Sequence, residues 1–107
     1  MDGPRIEFLW WAECPSWERA LAILRERVAA AGLDSDAIVI TEVTSDDQAR
    51  RLGFPGSPTI RVNGGDVQAP AMAATGLSCR VYRTRDGRVS PLPDAADIDA
   101  ALGVTVR

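Results

Sequence analysis

Histidine is absent from this 107-residue chain. Without an imidazole there is no Ser-His-Asp or Cys-His catalysis and no histidine-bound metal. Lysine is absent too: the 12 basic residues are all arginine, against 15 acidic ones, for a net charge of −3. With abundant alanine and glycine, that deficit reads as a bias toward GC-rich codons. The one basic run, Arg80, Arg83, Arg85 and Arg88, reads as a solvated strand face in a mildly acidic chain, so no nucleic-acid partner is expected. Cysteine is reduced to Cys14 and Cys79, too few for a four-cysteine zinc site or a disulfide framework. No apolar run approaches the roughly 18 to 20 residues of a membrane span. The start, Met1-Asp2-Gly3-Pro4-Arg5, has neither the basic region nor the apolar stretch of a secretory signal. The expectation is a cytoplasmic protein without a membrane partner. No phosphate-binding glycine pattern occurs, so no organic cofactor is expected.

What is present is enough for one domain over residues 1–107, with 46% hydrophobic and 25% charged residues and a core that needs no staple. Residues 5–11 are nearly continuous in large apolar side chains, the pattern of a central strand covered on both faces. Trp17, Ala20, Leu21, Leu24, Val28 and Ala31 then recur at spacings of three and four, predicting a helix that ends near Gly32. Residues 38–43 predict a second strand, parallel to the first because a helix separates them. Ser45 with Gln48 resembles a capping box, and Gly53 can end the short helix behind it. A turn over 54–58, a strand over 59–62 and the turn Asn63-Gly64-Gly65 follow. Residues 64–78 read as a long irregular segment, long enough that function or mobility is suspected. Residues 80–84 predict a fourth strand, Asp86-Gly87 a turn, and Asp94 the cap of a last helix through Asp97, Ile98 and Leu102. The predicted class is α/β, in the order β-α-β-α-β-β-α, with a mixed central sheet flanked by helices.

Cys14 falls where the first strand gives way to the first helix. Pro15 suits the first helical position, which makes Cys14 the predicted N-cap. Unpaired N–H groups and the positive end of the helix dipole bias a sulfur there toward thiolate, the reactive form. Three residues on stands Trp17, so the second cysteine of a Cys-x-x-Cys motif is missing. Trp17 lies on the apolar stripe and is read as a core residue, as are Trp10 and Trp11.

This order, with Cys14 at the first helix and Ser57-Pro58-Thr59 leading into the third strand, resembles the thioredoxin fold. The resemblance implies a cis-proline at Pro58 facing Cys14, with Ser57 and Pro58 forming a substrate-binding wall. A closer likeness is to the small thioredoxin-like proteins grouped with organomercurial (alkylmercury) lyases. It rests on Glu13-Cys14-Pro15-Ser16-Trp17, on Leu52-Gly53-Phe54-Pro55-Gly56-Ser57-Pro58-Thr59 and on Gly76-Leu77-Ser78-Cys79-Arg80-Val81-Tyr82. Those lyases hold mercury between two cysteines, and by motif position Cys14 and Cys79 correspond to them. Two thiolates suit a soft, two-coordinate metal. The lyases also carry an aspartate where this chain has Trp17, which can neither hold nor deliver the proton for the leaving carbon. Glu13 and Glu18 are the nearest substitutes.

Three functions compete. In the first, Cys14 attacks a disulfide and Cys79 resolves it, a thiol-dependent redox protein with both cysteines catalytic. The second is mercury or soft-metal capture by the same pair, extending to organomercurial cleavage. The third is a noncatalytic binding module on the same fold. Cys79 has a plainer reading as an inert cysteine opening a strand. Chain topology also opposes pairing with Cys14, because an antiparallel strand after 59–62 begins at the far end of the sheet unless 64–78 folds back. Oligomeric state is not readable from the sequence.

Overall fold

A computed structural model describes residues 3–70 and 74–103. The start read for a signal includes Met1 and Asp2, and the irregular segment includes residues 71–73; these lie outside the described residues.

The chain forms a mixed α/β structure. Strand β1 (Ile6–Trp10) lies inside a four-stranded sheet of order β2-β1-β3-β4. It pairs in parallel with β2 (Val39–Glu42), Phe8 opposite Ile40, and antiparallel with β3 (Thr59–Val62), Phe8 opposite Ile60. Side chains alternate across the sheet, so β1 supplies two cores. Ile6 and Phe8 meet Ile60, Ala20, Leu21, Leu24 and Val28 of helix α1 (Trp17–Ala30), and Ile98 of helix α3 (Ala95–Ala101). Leu9 points the other way, onto Val43, Phe54 and Ala49 of helix α2 (Asp46–Leu52). Arg27 ties α1 to α3 through a two-pronged bond to Asp99, at 2.8 and 2.9 Å. No helix among the described residues is long and apolar enough to cross a membrane.

Local signals act much as the sequence predicts. Ser45 Oγ accepts the Gln48 N–H at 3.1 Å, although Gln48 Oε1 reaches past Ser45 to the Thr44 N–H. Gly53, at φ 62°, ends α2. Asp94 Oδ1 accepts the Ala96 N–H at the start of α3.

The second half departs from the predicted order. Asn63 (φ 53°) and Gly64 (φ 84°) make a two-residue hairpin turn that adds strand β4 (Gly65–Asp66) beside β3. Positive φ at both central residues suits the twist of paired strands. The predicted fourth strand over 80–84 shrinks to β5 (Tyr82–Arg83), which pairs with β6 (Val89–Ser90) outside the central sheet. A two-residue loop costs little entropy to close, so β4 takes the place beside β3 that 80–84 was expected to fill.

Candidate thiol site

The first wall of the site is the loop between β1 and α1. The Cys14 N–H turns back to the Trp11 carbonyl at 3.0 Å, and the helical ladder starts only with the Ala20 N–H to the Ser16 carbonyl. Helix α1 therefore begins at Trp17 with Ser16 as its cap, and Ser16 makes no side-chain capping bond. Cys14 is not the N-cap: the turn to Trp11 uses its N–H, and Pro15 and Ser16 intervene before the helix. Trp17 stacks on Trp10 with ring centroids 4.1 Å apart, a packing role as expected.

The second wall is the turn before β3. The Ser57-Pro58 peptide is cis, and both residues are buried. Ser57 Oγ accepts the Trp11 N–H at 3.0 Å, and the Ser57 carbonyl accepts the Cys14 thiol proton at 3.5 Å. Ser57 and Pro58 are buried and form the floor against which the Cys14 thiol lies.

The third wall is the segment leading to Arg80, running alongside 54–57. The Gly76 N–H bonds the Phe54 carbonyl, the Ser57 N–H bonds the Ser78 carbonyl at 2.8 Å, and the Arg80 N–H bonds the Ser57 carbonyl at 2.8 Å. Cys79 thus forms a parallel bridge with Ser57, the residue that receives the Cys14 thiol. The topological objection to this pairing is met by β4, which brings the chain back along β3 before residues 76–80 pass the turn. Cys14 is 2% exposed, whereas Cys79 is exposed, and both are free thiols. The Cys79 pKa is raised, first by loss of hydration and then by the charge and hydrogen bonding of Cys14.

That cause gives a pH dependence. Because its ionisation is opposed, Cys79 is expected to react with a small disulfide reagent slowly at neutral pH, with a rate rising through and above the ordinary thiol range. Removing the Cys14 charge in Cys14→Ser moves that rise to lower pH. Coincident rate profiles for the two proteins would contradict the Cys14 contribution and leave loss of hydration as the cause of the shift.

Beneath Cys79 lies a buried polar clamp. The Arg80 guanidinium bonds both oxygens of Asp66 on β4, at 2.7 and 3.0 Å, together with Thr59 Oγ1 and the Gln68 carbonyl. It lies 4.4 Å over the Tyr82 ring, and the Tyr82 hydroxyl donates to the Pro58 carbonyl. Burial pushes the Tyr82 phenol above its usual range, so it stays protonated and keeps that bond. The clamp ties β3, β4 and the cis-proline turn to the segment carrying Cys79.

The reading of Arg80, Arg83, Arg85 and Arg88 as a solvated face is corrected at Arg80, which is buried because Asp66 lies beneath it. Arg85 pairs with Asp97 and Arg88 with Asp86. Glu13 and Glu18 are exposed, and no carboxylate bonds either thiol among the described residues. Those residues also contain no cluster of three or more cysteine, aspartate or glutamate ligands. Asp66, Arg80 and Tyr82 are supports that sequence reasoning missed. The spacing of Arg80 and Tyr82 on one side of an extended segment was the available signal. Comparisons with protein-family models, curated proteins and solved structures gave no match to this chain.

Proposed function

We propose that this chain is a thioredoxin-like thiol–disulfide redox protein in which Cys14 and Cys79 form one dithiol/disulfide couple. The observation that carries the reading is the convergence of both cysteines on Ser57 from opposite ends of the chain. The cis Ser57-Pro58 peptide beside them, the parallel β1–β2 pair bridged by α1, and helices on both sheet faces support the fold assignment. In the reaction the two protein thiols give two electrons and two protons to a small disulfide. One internal S–S bond forms and two small thiols are released.

Incubating the reduced protein with oxidised glutathione tests this. The expected product is a monomer lighter by two hydrogens, with a peptide linking Cys14 to Cys79, and neither serine variant yields it. A wild type that keeps two free thiols, or links only between molecules, sinks the couple.

A second reading, soft-metal capture, is favoured by two cysteines that meet at Ser57, the donor set of a linear Hg(II) site. They lie outside any cluster of three or more cysteine, aspartate or glutamate ligands among the described residues. Here Hg(II) binds the wild type more tightly than Cys79→Ser; equal affinities remove two-thiol capture. Cleavage of a carbon–mercury bond is disfavoured by Trp17 and by exposed Glu13 and Glu18, which leave no placed acid. If both thiols prove inert, a noncatalytic binding module is the remaining reading.

A further inference from the structure

We infer that Cys79 makes the first attack on an incoming disulfide and that Cys14 resolves the mixed intermediate, so the working order runs opposite to the chain order. The inference rests on the proposed redox couple and adds the division of labour within it. Sulfur attacks along the S–S axis, so the first nucleophile needs an open approach as wide as the substrate. Cys14 has none: it is 2% exposed, and its thiol proton is turned inward to the Ser57 carbonyl. Cys79 is exposed on the segment that runs past the same residue. A buried thiol suits the second step instead, since its target, the sulfur of Cys79, is delivered by the protein itself.

The steps balance. Cys79 loses its proton to solvent and bonds one sulfur of the substrate, RSSR. The other sulfur leaves as RS⁻ and takes up a proton. Cys14 then gives up its thiol proton and bonds the Cys79 sulfur, and the remaining RS group departs as a thiol. Two electrons pass from the cysteine pair to the substrate.

The test compares initial rates of modification by oxidised glutathione, followed by intact mass, for wild type, Cys14→Ser and Cys79→Ser. Cys14→Ser is expected to collect one glutathione on Cys79, at a rate within a few fold of wild-type disulfide formation. Cys79→Ser is expected to be modified about tenfold more slowly or less, because access limits exchange. Modification of Cys79→Ser as fast as Cys14→Ser, or faster, overturns the order. Failure of the couple has a separate signature: wild type then retains glutathione on Cys79 without forming the internal bond, which also removes the resolving role of Cys14. Cys14→Ala, which leaves no hydroxyl in the buried position, repeats the comparison if the serine variant does not fold.

Discussion

Replacing Asp66 with alanine is expected to cost about 3–5 kcal/mol of folding stability, the usual penalty for stranding one member of a buried ion pair. The Arg80 side chain is only 5% exposed and takes both carboxylate oxygens of Asp66. Without them, Thr59 Oγ1, the Gln68 carbonyl and the Tyr82 ring are left to hold an uncompensated charge. Against a total stability of about 5–15 kcal/mol for a domain, this is a large fraction. The companion replacement Arg80→Met, made together with Asp66→Ala, removes both charges and is expected to recover much of the loss, because a pair exchanged for apolar groups is often near neutral. Urea unfolding of the two single variants and the double variant gives the coupling directly. A loss below about 1 kcal/mol for Asp66→Ala would place the pair among ordinary surface ion pairs and contradict the buried clamp.

Gly56→Ala is expected to damage both the fold and the thiol pair. Gly56 sits at φ 139°, where a side chain is strained, and an added Cβ would come within 3.1 Å of Arg80 Cβ and 3.3 Å of the Arg80 Cα and N. Two of those atoms are backbone and cannot rotate away. The Arg80 N–H is meanwhile bonded to Ser57, so any relief moves the segment carrying Cys79 away from the turn that receives Cys14. The backbone strain alone is worth about 1–3 kcal/mol. If a comparable amount is lost from the alignment of the thiols, the internal disulfide weakens against glutathione by about tenfold for each 1.4 kcal/mol. Urea unfolding and the equilibrium constant with a glutathione buffer measure the two effects. An unchanged disulfide constant in a destabilised variant would show that Gly56 serves folding alone.

Legibility varied with the range of the interaction. The first two strands, the first helix and the second helix were readable because hydrophobic period, capping residues and Gly53 act within a few positions. The β4 hairpin was hidden by its length: two residues carry no period, and only the Asn63-Gly64 turn marked it. Strand 80–84 misled because alternation reports one buried side without saying what buries it. For Arg80 the answer is Asp66, 14 positions away. The Cys14 cap was misplaced because Pro15 is compatible with both a first helical turn and the turn that precedes one.

By itself the sequence determined the α/β class, the parallel β1–β2 unit, the absence of imidazole chemistry and the identity of both thiols, since composition and local periodicity carry these. Only the tertiary structure decided that Cys14 and Cys79 converge on Ser57, that Cys14 is buried and Cys79 exposed, and that Arg80 is a clamp instead of a surface charge. Each of these is a relation between segments distant in the chain, and such relations are settled by strand pairing and burial, which no local pattern encodes.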